Sequence, residues 1–323
     1  MSISDCAPPY SVSEKVVDLL ARICEMVGRV SVQQTPQALR LRRVNRIRTI
    51  QGSLAIEGNT LTEQQITAVM DGKPVIAPPQ EIQEVRNAIK VYEKMPTWNP
   101  FDSNHLLEAH SLLMGGLIDR IGAYRQTGAG VMGKEGLVHV APPADRVPFQ
   151  MKELFQWLEK TDAHPLISSS VFHYEFEFIH PFEDGNGRMG RLWQTMVLSK
   201  WNPVFADLPV ESLVHAHQSG YYEALNLSTA QANCSPFIEF MLAVISETLL
   251  TTQETTQETT QESRTEQILE VLRQNPKATR QVIAEVLGDI SADGVKYHLK
   301  KLQDAGRLTR VGSTKAGRWV VQD

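Results

Sequence analysis

The stretch HPFEDGNGRMGR, residues 180–191, joins two apolar segments. Upstream, VFHYEFEFI reads as an aromatic-rich helix that ends before Pro181, because proline disfavours helical geometry in the residue before it. Downstream, GRMGRLWQTMVL resumes helical periodicity. The residues between form a tight loop, and Gly185-Asn186-Gly187 falls where the second helix begins. A helix N-terminus presents unpaired N–H groups and a partial positive charge, which suits an anion, and glycines let the backbone come close to a phosphate. Arg188 lies in the first turn, and Arg191, one turn on, shares its face. Asp184 precedes the glycine turn and is the candidate Mg²⁺ ligand, since that ion uses one or two carboxylates together with water and substrate phosphates. Glu183 is expected to face solvent and Phe182 to anchor the loop by burying its ring. His180 can take a proton from a hydroxyl near neutral pH, a role typically worth roughly 10²–10⁴ in rate. The set suits a hydroxyl nucleophile attacking a Mg²⁺-bound nucleoside triphosphate.

Taken singly, each piece has a plainer reading. A histidine at a helix end is commonly a structural hydrogen bonder, Gly-Asn-Gly a turn, and two arginines a solvated face. Their joint presence within twelve residues argues against a mere connector. No His or Cys partner stands at helical spacing, which speaks against zinc.

The stretch resembles the signature of the Fic family, H-x-F-x-[DE]-G-N-G-R-x-x-R, at every position, and the wider resemblance covers roughly residues 40–250. Fic proteins mostly transfer AMP from ATP to a Ser, Thr or Tyr hydroxyl of a target protein. The resemblance implies His180 as general base and Asp184 as Mg²⁺ ligand. It also implies an anion nest from Gly185, Asn186 and Gly187, with phosphate contacts from Arg188 and Arg191. A phosphate-transferring branch has lysine at the second motif glycine, so Gly187 favours AMP.

Upstream, TIQGSLAIEGNTLTE fits the family's inhibitory pattern [ST]-x-x-x-E-[GN] with Ser53, Glu57 and Gly58. The i, i+4 spacing puts Ser53 and Glu57 on one helix face, with Gly58 as the stop. The implied mechanism is a salt bridge from Glu57 to Arg191 that displaces the ATP γ-phosphate. Some relatives also use this glutamate to remove AMP. Gly136-Leu137-Val138-His139, in a candidate hairpin spanning Gly128–Pro143, corresponds to the family's flap, which binds a target segment as an added strand. Tyr221 and Tyr222 resemble the pair that lines the adenine pocket, and Arg125 occupies a recurring family position. His215 and His217, two apart, are read as non-ligands, and His110, His164 and His173 receive no role.

The surrounding chain reads as mainly helical. Ser11 and Glu14 are expected to cap a first helix through VVDLLARICEMV, and candidates follow at 38–56, 62–70, 80–94, 103–115, 150–160, 168–178, 187–200, 210–228 and 235–249. The threefold repeat TTQETTQETTQE has no apolar residue and is expected to be a flexible spacer, with a helical bridge as the alternative. Beyond it, TEQILEVLRQNP, TRQVIAEVLG and SADGVKYHLKKLQDAGRL predict three helices, and LTRVGSTKAGRWVV a hairpin, together a winged helix-turn-helix. This part carries eleven Lys and Arg against seven Asp and Glu within a chain of net charge −5, the asymmetry of a DNA-facing module. A winged helix used for protein contacts stands as the alternative.

The 323 residues are 42% apolar and 21% charged, as in an ordinary soluble protein. Three widely spaced cysteines argue against a disulfide framework, and no stretch resembles a signal peptide or a membrane span, so a cytoplasmic location is expected. The expected fold is mainly α: an N-terminal helical region at 1–100 with an inhibitory helix at about 45–58, a Fic core with a β-hairpin flap at 101–250, a linker at 251–262 and a winged helix at 263–323. The expected activity is protein adenylyltransfer from ATP with Mg²⁺, restrained by Glu57 and acting on a target protein and on the chain itself. The alternatives are a DNA-binding regulator that uses the core as a nucleotide sensor, an AMP-removing activity through Glu57, and phosphoryl or phosphocholine transfer. DNA and a second copy of the chain are further candidate partners.

Overall fold

A computed structural model describes residues 7–29, 36–133, 136–288, 290–312 and 317–322. They fall into two compact units, Met1–Thr252 and Gln253–Asp323.

The first unit is built from α1 (Glu14–Arg29), α2 (Pro36–Ile56), α3 (Glu63–Met70), α4 (Pro79–Lys94), α5 (Ser103–Leu113), α6 (Val147–Lys160), α7 (Pro165–Ile179), α8 (Asn186–Trp201), α9 (Val210–Ala216), α10 (Gln218–Gln231) and the first part of α11 (Ser235–Gln274). Between α5 and α6 runs an antiparallel hairpin of β1 (Gly130–Gly133) and β2 (Gly136–Val140), with a bulge at Val131/Met132. At the centre lie α7 and α8, the two helices that flank the quoted loop. Pro165 opens α7 at a position where its missing N–H costs nothing, and His164 Nδ1 accepts the Leu166 N–H. Almost every residue of α7 from Leu166 to Phe176 is buried, Ser168, Ser169, Ser170 and His173 included. Phe172, Phe155 and Trp193 meet edge to face in the core these helices share with α6.

Two boundaries differ from expectation. Ser11 does not cap α1: it bonds Ser235 at the start of α11, and Ser13 Oγ instead accepts the Val16 N–H. The complete capping box belongs to α3, where Thr62 and Gln65 satisfy each other. The helix expected over 210–228 is broken at His217 into α9 and α10.

The repeat expected as a flexible spacer lies inside α11, which runs unbroken from Ser235 to Gln274. Threonine is only a mediocre helix former, whereas Gln and Glu are good ones, and a helix already begun at Ser235 extends without a new nucleation cost. Residues Ser235–Thr252 match a membrane span by length and composition, but Phe237, Ile238, Met241, Leu242, Ile245 and Leu249 are buried in the core of the first unit.

The second unit completes α11 and adds α12 (Arg280–Leu287), α13 (Ala292–Asp304) and a hairpin of β3 (Leu308–Val311) with β4 (Arg318–Val321). Thr279 and Ser291 cap α12 and α13, and Gly288 ends α12 in the left-handed conformation. Ile268, Leu272, Ile283, Val295, Leu299 and Leu308 form its own core. Helix-turn-helix plus wing is the expected architecture.

Candidate active site

His180 ends α7 with φ 50° and ψ 61°, a left-handed conformation uncommon for a residue with a side chain. Arg125, 2% exposed, holds it there. Its Nε donates to the His180 carbonyl at 2.7 Å, its Nη2 to the Ile179 carbonyl at 3.2 Å, and its backbone N–H to the Pro181 carbonyl at 2.9 Å. The same guanidinium reaches Thr127 O at 2.7 Å and Pro142 O at 2.6 Å, on either side of the β1–β2 hairpin. One buried cation thus ties the histidine loop to the base of the flap.

The rest of the loop is fixed from below. Phe182 is fully buried and stacks on His110 with ring centroids 3.7 Å apart. The Gly122 N–H donates to His110 Nδ1 at 2.9 Å, so the proton is on Nε2, which donates to the Asp184 carbonyl at 3.1 Å. Burial pushes the His110 imidazole down to about 4, which keeps it in this neutral tautomer. Asn186 closes the loop: Oδ1 accepts the Phe182 N–H and Nδ2 donates to the Phe182 carbonyl, both at 2.9 Å. The side chain of Asn186 is therefore committed to structure, and only its backbone N–H is left for an anion. Gly185 precedes α8 at φ 83°, and a Cβ there would stand 2.7 Å from Met114 Sδ.

The arginines carry the charge. Arg191 is almost fully buried; its Nη2 donates to Glu57 Oε1 at 2.7 Å and to the Ser53 carbonyl at 3.0 Å, and its Nε to Ser53 Oγ at 3.4 Å. Burial alone would weaken this cation, but the Glu57 carboxylate beside it holds its pKa above the usual arginine value. Gly58, at φ 93°, turns the chain at the end of α2 so that Glu57 faces α8. Gly187 makes room: a Cβ there would lie 2.5 Å from Glu57 Oε1. Arg188 Nη2 lies 3.3 Å from Asp184 Oδ2. Nε and Nη1 of Arg188 and Nη1 of Arg191 find no hydrogen-bond acceptor among the described residues, although all three are buried. Orphaned guanidinium donors at a helix N-terminus call for an anion with several oxygens.

A Fic/DOC family model matches residues 100–198, and a winged helix-turn-helix DNA-binding model matches residues 262–309. The crystal structure of a Fic family protein from Desulfovibrio desulfuricans G20 is 43% identical, covers 98% of each chain and superposes with a TM-score of 0.75. The chain belongs to the Fic family. Protein adenylyltransferases Fic from Nematostella vectensis and Aedes aegypti are 28% and 30% identical over 209 and 233 residues. The chain spans 46% and 44% of their lengths, less than half of either. Fic-1 from C. elegans shares the fold at 19% identity, with a TM-score of 0.64.

Within this Fic core the remaining site residues separate. Tyr221 is 2% exposed and its hydroxyl meets His173 Nε2 at 3.1 Å, whereas Tyr222 is 42% exposed. Burial and the neighbouring Glu177 push the Tyr221 hydroxyl far above its usual range. Of the flap, Gly136, Leu137, Val138 and His139 form strand β2, while the turn at 134–135 and the flap side chains lie outside the described residues. Glu183 is exposed. His217 pairs with Glu247 at 3.1 Å on the surface.

Three supports carry no local signal in the sequence, although Arg125 stands at a recurring family position. His110 and Arg125 reach the loop from 74 and 55 positions away, and no periodicity signals such contacts. The third is the inner side of α8, where Gly190 lets His173 and Glu177 approach: a Cβ would be 2.7 Å from His173 Cδ2 and 2.9 Å from Glu177 Oε1. Burial raises the Glu177 carboxyl to about 8, partly opposed by the Arg191 charge, so it is mostly protonated at neutral pH.

Proposed function

We propose that the chain is a protein adenylyltransferase that moves AMP from ATP to a Ser, Thr or Tyr hydroxyl, held back by Glu57. The supporting observation is the state of the two motif arginines: buried guanidinium donors without acceptors stand beside the glycine turn, while the Glu57 carboxylate, just past the end of α2, occupies Arg191. In this reading the N–H groups at the start of α8 and the free donors of Arg188 and Arg191 bind the polyphosphate. His180 takes the proton of the attacking hydroxyl as its oxygen bonds to the α-phosphorus and pyrophosphate departs. The β2 edge orients the target segment by backbone pairing, and Tyr222 stacks on the adenine.

Mg²⁺ fits the donor set. Asp184 is more than half exposed at the mouth of α8, and no group of three or more His, Cys, Asp or Glu among the described residues is arranged as a metal cage. One open carboxylate is what an ion leaning on substrate phosphates and water requires. When bound, the ion would neutralise phosphate charge.

Incubation with labelled ATP and Mg²⁺ tests the proposal. Glu57→Gly is expected to raise label incorporation by roughly a hundredfold, since that bias needs about 2.7 kcal/mol, and charged hydrogen bonds contribute about 1.5–3 kcal/mol. His180→Ala is expected to abolish incorporation. Label transferred equally well by the His180 variant would refute the base assignment, and an unchanged Glu57 variant would refute the brake. AMP removal by the wild-type chain would add a second role for Glu57. A mass increment other than AMP would point to phosphoryl or phosphocholine transfer.

A second reading, a DNA-binding regulator that senses nucleotide, is favoured by the winged-helix match and by the exposed Lys296, Tyr297, Lys300 and Lys301 on α13. Intact His180 favours chemistry over sensing alone. A cytoplasmic location and a homodimer belong to the proposal.

A further inference from the structure

Glu84, on α4, belongs to neither motif, yet it faces the other motif arginine. The Arg188 side chain is 6% exposed, and its Nη1 lies 3.7 Å from Glu84 Oε1, an ion pair without a hydrogen bond. The Glu84 side chain is itself only 15% exposed, so solvent screens the pair poorly. Its second oxygen accepts the Asn59 Nδ2–H at 2.8 Å. Asn59 sits two residues beyond Glu57 and is firmly held. Its N–H donates to the Leu54 carbonyl at 3.1 Å, Nδ2 also reaches the Glu81 carbonyl at 3.2 Å, and Oδ1 accepts the Leu61 N–H at 3.1 Å.

We infer that Glu84 is a second carboxylate brake, which neutralises Arg188 through an ion pair where Glu57 hydrogen-bonds Arg191, with Asn59 joining both to the same end of α2. The inference rests on the nucleotide-binding reading above. Two arginines face three carboxylates here, Glu57, Glu84 and Asp184, so the side-chain charges outweigh the arginines and offset the partial positive charge of the α8 N-terminus before any ligand arrives. A triphosphate must take guanidinium donors from carboxylates and also overcome that field. Withdrawal of Glu57 removes only one of the two competitors. Glu84 keeps Arg188 partly neutralised until it too gives way.

The test uses the full chain and four proteins: wild type, Glu57→Gly, Glu84→Gln and the double variant. Glutamine keeps the size of the side chain and an acceptor for Asn59, and Arg188 retains Asp184, so no buried charge is stranded. ATP affinity is read by isothermal titration calorimetry in Mg²⁺, alongside AMP transfer. Glu84→Gln is expected to tighten ATP binding about tenfold in the Glu57→Gly background, with a parallel rise in transfer at low ATP. Folded Glu84→Gln protein that binds ATP no better, or less well, overturns the inference. Should that variant not fold, Glu84→Asp draws the carboxylate away from Nη1 and is expected to give a gain of a few-fold; no gain there overturns it equally. If Glu57→Gly itself neither binds ATP nor transfers AMP, the nucleotide reading falls and takes Glu84 with it. If Glu57→Gly gains and Glu84→Gln adds nothing, only the second brake is lost.

Discussion

Glu177→Gln should stabilise the protein at neutral pH, and the gain should grow with pH. The folded carboxyl titrates near 8, against an ordinary value of 4.5, because burial beside His173 and Gly190 disfavours its charged form. A carboxyl raised in this way adds stability that is fully present below the unfolded value and is lost as pH climbs towards the folded one. Each pH unit inside that window costs about 1.4 kcal/mol. Between pH 4.5 and 7 the wild type should therefore lose about 3 kcal/mol relative to the glutamine variant, with the difference flattening above pH 8. A unit of this size converts about 3 kcal/mol into roughly 6–12 °C of Tm. Thermal and urea unfolding of both proteins at pH 5, 6, 7 and 8 gives the difference directly, and titrating groups not coupled to Glu177 cancel. Parallel pH profiles would refute the reasoning. A second arm uses Glu57→Gly: Arg191 lowers the Glu177 pKa and Glu57 raises it, so loss of Glu57 should shift the Glu177 titration downward.

Three further expectations follow from packing and charge. Gly52 lies against α9, where an added Cβ would be 2.6 Å from Ser212 N; Gly52→Ala should cost about 1–3 kcal/mol in urea unfolding and raise AMP transfer by pushing α2, and with it Glu57, off Arg191. Arg125→Gln should lower kcat for transfer on the order of a hundredfold while leaving ATP affinity intact, with Arg125→Lys recovering part of it, because the clamp acts on His180 and the hairpin rather than on the phosphate nest. Lys296→Ala combined with Lys300→Ala should weaken DNA binding in fluorescence anisotropy and reduce the slope of log affinity against log salt by about two.

The chemistry of this chain is legible where it is local. The sequence of the 180–191 loop sets a helix stop, a glycine turn and two arginines on one face, and each depends only on neighbours within a few positions. The Ser53–Glu57 spacing is legible for the same reason, and the structure brings both residues to Arg191. What escapes is tertiary. His110 and Glu84 carry no motif and Arg125 only a recurring family position, and what they do arises only when the fold carries them across tens of residues to one loop. The Tyr221–Tyr222 pair separates only in the fold, where Tyr221 is buried against His173 and Tyr222 faces out. The TTQE repeat misleads because its polarity says nothing about whether a helix already under way will continue.

The missing Cβ at Gly187 links two positions 130 residues apart. Glu57 can sit on Arg191 in this pose only while residue 187 has no side chain. The two sites should therefore not drift independently through evolution. A larger residue at 187 would evict the carboxylate and alter the anion nest in one step, so its consequence depends on which residue already stands at 57. Related sequences should show this as covariation, with bulky replacements at 187 tolerated chiefly where the glutamate is already gone.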